Sequence, residues 1–109
     1  MNAYNDLLEY LQEGETIEAI VFGEWGWGGY NEEATAVPQE KQGILLTPEE
    51  AKPMMKGWSF HGGFGSPKCY AVNVWTNKRV CWVTQYDGST WLDSAPRNPT
   101  AHIPDMPGG

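Results

Sequence analysis

The chain has 109 residues and a net charge of −7, with 40% hydrophobic and 19% charged residues. This is the size of one domain with a single core, and the composition excludes an intrinsically disordered chain. The acidic balance repels phosphate backbones, and the seven Lys and Arg residues form no basic patch, so direct nucleic-acid binding is not expected.

Neither a membrane span nor a disulfide framework is indicated. No stretch approaches the ~20 apolar residues of a spanning helix, and the basic-then-apolar order of a signal peptide is missing at the N-terminus. We therefore expect no membrane association and a cytoplasmic location. Cys69 and Cys81 are too few for a disulfide framework and are expected to be reduced and buried.

The first predicted elements are a helix and a strand. Asn2 is a good N-cap, and apolar residues at helical spacing predict a helix over 3–13, with Gly14 suited to its end; the apolar stripe is Tyr4, Leu7, Leu8 and Leu11. Residues 16–22 are β-branched and aromatic, which predicts a mostly buried strand ended by Gly23.

A long loop and a second helix follow. Residues 23–43 show neither helical nor strand periodicity, and 44–46 form a short extended piece. The sequence Thr47-Pro48-Glu49-Glu50 has the form of a capping box with Pro at the first helical position. Because Pro53 removes a backbone donor, the predicted helix is short, over 48–56.

The segment 69–92 predicts an antiparallel meander. Strands over 69–76 and 79–86 flank Asn77-Lys78, and Asp87-Gly88 is a turn signal before a strand over 89–92.

A two-residue turn at Asn77-Lys78 fixes which residues share a face of this sheet. One side then carries Val74 facing Cys81 and Val72 facing Val83; the other carries Trp75, Val80 and Trp82. Both faces are apolar, so we expect a helix to cover one, and loops or a second subunit of a homodimer to cover the other. Cys69 and Cys81 fall on opposite faces, which disfavours a disulfide.

The predicted fold is α+β, with a small antiparallel sheet packed with two short helices and long loops rich in Gly and Trp. Residues 1–95 form the single domain. Residues 96–109 contain four prolines, which predicts an extended arm that Ile103 and Met106 would anchor if it docks.

Two segments, 23–30 and 57–65, combine aromatic residues with glycine pairs. Glycines let a backbone approach a partner closely and rings offer stacking surfaces, so both segments are candidate binding loops; the candidates are Trp25, Trp27, Tyr30, Trp58, Phe60, His61 and Phe64, with acidic Glu24, Glu32 and Glu33. The alternative is that these rings close over the sheet.

No motif joins the residues that could do catalysis. The candidates are His61, His102, Cys69, Cys81, Asp87, Asp93 and Arg97, and they form no nucleophile elbow, no His-Glu-x-x-His and no phosphate loop. Two histidines and two cysteines on opposite strand faces do not make a tetrahedral metal set. We expect no enzymatic activity, no cofactor and no metal.

The segments 23–30, 46–64 and 69–91 and the ending 104–109 resemble small uncharacterised proteins encoded by bacteriophages and prophages. The resemblance covers most of the chain after residue 15 and brings no catalytic residues with it. It implies an acidic, non-enzymatic accessory protein that blocks or sequesters a host component, such as a defence protein.

Three hypotheses follow. The first is a phage accessory protein that binds a host protein through the exposed rings, with Glu24, Glu32 and Glu33 steering it to a basic partner. The second is a small-molecule binder whose two loops clamp a planar or sugar-like ligand, within one chain or across a homodimer. The third is a virion assembly component.

Overall fold

The computed structural model describes residues 2–26, 36–60, 69–86 and 89–98, with positions 101 and 103. Four strands form one antiparallel sheet in the order β1-β2-β3-β4. The fold is α+β, as predicted, and in the described ranges no helix is long and apolar enough to cross a membrane. In chain order the elements are α1 (Ala3–Tyr10), β1 (Ile17–Trp25), a 3-10 turn (Gln39–Lys41), α2 (Pro48–Ala51), a second 3-10 turn (Lys52–Met55), β2 (Tyr70–Thr76), β3 (Arg79–Tyr86) and β4 (Ser89–Pro96).

Helix α1 is three residues shorter than the predicted 3–13. The N–H of Gln12 donates to Glu15 Oε1 at 2.8 Å, and Arg79 Nη2 donates to the carbonyl of Tyr10 at 2.8 Å. Tertiary partners thus take the backbone groups that would otherwise continue the helix, and it ends at Tyr10.

The buried stripe of α1 is narrower than predicted. Asn2 caps the helix as expected, and Ala3 and Leu7 are buried. Leu8 is 48% exposed, so its assignment to the apolar stripe was wrong. Ala3 and Leu7 enter the core as an i, i+4 pair, and the half-buried Tyr4 and Tyr10 pack against it.

Strand β1 continues past Gly23, which was wrongly predicted to end it. The β1–β2 register shifts between Phe22 and Trp25, which marks a β-bulge. A Cβ on Gly23 would lie 3.1 Å from the Ala71 Cβ of the neighbouring strand. Glycine therefore serves close strand approach at this bulge.

The outer edge of β1 is covered by the segment that was predicted to be a loop and a short extended piece. Ile20 and Leu46 exchange both backbone hydrogen bonds at 2.9 Å, and the N–H of Gly43 donates to the carbonyl of Phe22 at 2.9 Å. Gln42 also forms a parallel bridge to Phe22. These contacts occupy edge groups that would otherwise be open to strand addition.

Helix α2 begins with the predicted capping box. Thr47 Oγ1 accepts the Glu50 N–H at 3.2 Å, and the Thr47 N–H donates to Glu50 Oε1 at 3.2 Å. The helix was predicted over 48–56, but its second half is a 3-10 turn containing Pro53. Proline has no N–H for an α-helical bond, which explains the change.

The β2–β3 hairpin has the predicted register, with Val74 opposite Cys81 and Trp75 opposite Val80. Both cysteines are free and buried, as expected.

Strand β4 is the other edge of the sheet and runs past the predicted 89–92. Asp93 Oδ1 accepts the N–H of Ser94 at 2.8 Å. Pro96, two residues on and facing the same edge, has no N–H to offer. Because the Ser94 N–H is already bonded and Pro96 lacks an N–H, this edge is poorly suited to pairing with another strand.

The division into a domain over 1–95 and an arm over 96–109 stays a prediction. Arg97 is still tied to the sheet, because its N–H donates to the carbonyl of Lys78 at 3.1 Å. Ile103, a predicted anchor, is 79% exposed and is not docked. Met106 lies outside the described residues.

Candidate functional site

The inner side of the sheet carries an aromatic cluster that includes three of the predicted contact residues, Trp25, Trp58 and Phe60. Trp58 is 1% exposed and Phe60 is fully buried, which corrects the expectation that these rings are held outward. Their ring centroids lie 5.4 Å apart in an edge-to-face contact, and Trp58 Nε1 donates to the carbonyl of Met54 at 3.0 Å. The aromatic cluster consists of Phe22, Trp25, Trp58, Phe60 and Tyr70.

Besides Trp58 and Phe60, two of the predicted binding residues are described. Trp25 is half-buried and stands edge-to-face against Tyr70, at 5.0 Å between centroids. Glu24 is exposed and lies in the bulge of β1. The remaining predicted positions lie outside the described residues: Trp27, Tyr30, Glu32, Glu33, His61 and Phe64.

A buried ion pair joins the segment between α1 and β1 to the β2–β3 hairpin. Arg79 binds the Glu15 carboxylate through two nitrogens, at 2.8 and 2.9 Å, and Thr76 Oγ1 donates to it at 2.6 Å. Burial alone would raise the pKa of Glu15, but the hydrogen bonds from Arg79, Thr76 and the Gln12 N–H outweigh it and hold the pKa at about 2. This carboxylate is fully used in structure and is not a proton-transfer group.

The described candidates for catalysis are not assembled into a site. Burial raises the pKa of Cys69 to about 11 and also raises that of Cys81, so both thiols stay protonated and unreactive. Arg97 forms an ion pair with Glu18. Within the described part of the chain, no group of three His, Cys, Asp or Glu could hold a metal ion; His61, His102 and Asp87 lie outside it.

The opposite side of the sheet carries three more tryptophans. Trp75 and Trp82 are half-buried and Trp91 is 37% exposed. None of them belongs to the core cluster, into which Leu7 of α1 and Ala51 of α2 pack. Both helices therefore lie on the inner side. We call this opposite side the tryptophan face; it is formed by Trp75, Val80, Trp82, Thr84, Trp91 and Asp93.

The three indoles follow a diagonal across β2, β3 and β4. Trp75 pairs with Val80, two residues before Trp82, and Trp82 pairs with Asp93, two residues after Trp91. Diagonal neighbours of this kind are about 7–8 Å apart. The arrangement is a row of stacking surfaces on a rigid sheet, suited to an extended ligand or a partner surface.

Sequence reasoning placed Trp75, Val80 and Trp82 together but did not select them as a site. We expected loops or a second subunit to cover that face, and took the Gly-rich segments as the binding elements. The signal was available in the hairpin register, because alternation separates Trp75 from Val74 and Trp82 from Cys81. To place Trp91 on the same face, the pairing of β4 with β3 also has to be known.

A shallow depression of about 280 Å³ lies at the end of the sheet, but its cations are already engaged. Arg79 binds Glu15, and Lys78 Nζ donates to the carbonyl of Glu13 at 2.9 Å. Glu15 neutralises Arg79, whereas the carbonyl of Glu13 leaves the charge of Lys78 in place, so the depression offers an anion a single exposed ammonium. The depression is lined by Gln12, Lys78, Arg79, Ser94, Ala95 and Pro96.

No known protein family, curated protein or solved structure matches the chain.

Proposed function

We propose that this chain is a non-enzymatic binding protein and that the tryptophan face is its contact surface. The observation that carries the proposal is the placement of Trp75, Trp82 and Trp91 on the side of the sheet away from both helices. Aromatic residues at the surface are typical of the centres of protein interfaces. An accessory role in a bacteriophage, against a host protein, remains part of this proposal.

The paired strands beneath the rings favour binding over a structural role. Trp75, Trp82 and Trp91 stand on β2, β3 and β4, whose register fixes the positions of their backbones relative to one another. A partner can therefore bind without ordering the surface, which lowers the entropic cost of association.

Site-specific photo-crosslinking in the cells of origin tests the proposal. A photo-reactive residue at Asn73, which is exposed on β2 opposite Trp82, should give a covalent adduct. The same residue at Glu9, exposed on α1, should give none. Introducing Trp82→Ser alongside the Asn73 probe should abolish the adduct.

Two results would contradict the proposal. One is the absence of any adduct from Asn73; the other is an equal yield from Asn73 and Glu9, which would show contact without preference for the face.

A second candidate function is binding of a saccharide chain, favoured by the diagonal row of indoles. Sugar rings stack on indole faces, and a row of three fits an extended ligand better than a compact one. This candidate gives no role to the charge of Asp93.

A further inference from the structure

The charged side chain on the tryptophan face lies beside its central ring. Asp93 is exposed and pairs directly with Trp82 across β3 and β4. Cross-strand partners on one face have Cβ atoms about 4.5–5.5 Å apart. One oxygen of the carboxylate accepts the Ser94 N–H at 2.8 Å, which orients the group while a carboxylate keeps capacity for further donors.

The basic residues described near the sheet are engaged away from Asp93. Arg79 is bound to Glu15, Arg97 to Glu18, and Lys78 to the Glu13 carbonyl. With a net charge of −7, the chain as a whole favours cationic partners. A basic partner can supply the cation that pairs with Asp93.

We infer that the partner is a basic protein segment and that one of its arginines stacks on Trp82 while its guanidinium pairs with Asp93. This rests on the proposed function and names its partner class. Arginine is planar, stacks on aromatic faces and binds carboxylates through two nitrogens, whereas lysine is a point charge.

The protein already uses the same combination internally. The guanidinium carbon of Arg79 lies 4.4 Å from the centroid of the Tyr10 ring, and the same group binds Glu15 through two nitrogens. Trp82 and Asp93 supply a ring and a carboxylate with no arginine of their own chain in the described contacts, and the partner's arginine completes the set.

Charge decides against the other occupants. A second copy would bring its own acidic surface, and a nucleic acid would bring phosphates against Asp93. A neutral saccharide would stack on the indoles but leave the carboxylate without a cation.

The test uses the full chain and an octa-arginine peptide at low salt, followed by NMR of the indole N–H signals. The signal of Trp82, assigned with Trp82→Phe, should shift on addition. Octa-lysine should bind several-fold more weakly. Asp93→Asn should weaken octa-arginine binding about tenfold, as expected for loss of one charge-assisted hydrogen bond pair.

Glu9→Gln is the matched control, because it removes the same charge from an exposed position on α1. Its effect should stay below about twofold, because α1 packs on the side of the sheet opposite Trp82. Equal weakening by both variants, or an unshifted Trp82 signal, would overturn the arginine assignment.

Two further probes separate this inference from the proposed function. If a neutral β-glucan oligosaccharide or oligothymidylate shifts Trp82 and octa-arginine does not, the inference is overturned while the face remains a binding surface. If octa-arginine does not shift Trp82 and the Asn73 probe gives no cellular adduct, the inference and the proposed function are both overturned.

Discussion

Tryptophans lie on both sides of one sheet in this protein, and the two sides use them differently. On the inner side Trp58 is 1% exposed, its ring meets Phe60 edge-to-face, and its N–H is bonded to a carbonyl. On the outer side Trp91 is 37% exposed and Trp82 stands opposite a carboxylate. The side of the sheet on which an indole lies, and not the residue type, decides whether it is buried in the core or partly exposed.

The largest expected effect is the difference in stability loss between a tryptophan substituted on the inner side and one substituted on the outer side. Trp58→Ala should lower the free energy of unfolding by about 3–5 kcal/mol, because it opens a cavity in the core. Trp82→Ala should cost about 1 kcal/mol or less, since the ring is half-buried and outside the cluster. Urea denaturation of both variants measures this; similar losses would mean that the outer rings are also core.

Acid should lower the free energy of unfolding through the protonation of Glu15. Its pKa is about 2 in the folded chain against an ordinary 4.5, so its contribution is complete above pH 4.5 and is lost as the pH falls to 2. The loss should be about 3 kcal/mol. In Glu15→Gln, the fall in unfolding free energy between pH 5 and 2 should be smaller by that amount, and an unchanged pH profile would contradict it.

The cap of α2 supports the inner side alone. Thr47→Ala removes the acceptor of the Glu50 N–H and should cost about 1 kcal/mol. Octa-arginine binding should not change, because α2 packs on the opposite side of the sheet. Thr47→Ser, which keeps the hydroxyl, is the control; a weaker peptide affinity in Thr47→Ala would show that the two sides are coupled.

The smallest stability change should come from the residue assigned to binding. Asp93→Asn keeps an oxygen that can accept the Ser94 N–H, so the unfolding free energy should change by less than about 0.5 kcal/mol. Thermal melts of the variant and the wild type check this. A larger loss would make Asp93 a structural residue and remove the basis for its recognition role.

Local signals predicted the elements of the fold well. The capping box at Thr47, the Asn2 cap and the Asn77-Lys78 turn each rest on bonds between near neighbours, and each is present. The end of α1 was missed because Arg79 and Glu15, far apart from each other in sequence, take its last backbone groups.

The site was harder to predict because exposure depends on which face the helices cover. Trp58 stands among glycines and aromatic residues and Trp82 stands in a strand, but neither pattern gives the exposure of the ring. Glycines around Trp58 suggested an outward loop, whereas packing against Phe22 and Tyr70 drew its ring inward. The assignment of both helices to one side is what leaves the other side as the proposed contact surface.

The treatment of the two sheet edges has a consequence for retargeting. Since Leu46 and its neighbours line β1, and a capped Ser94 and Pro96 border β4, backbone pairing is discouraged at both margins. Under the proposed function, selectivity then resides in the outward side chains of the tryptophan face. Substituting those side chains should change which partner the protein binds, while the hydrophobic core on the other side of the sheet remains intact.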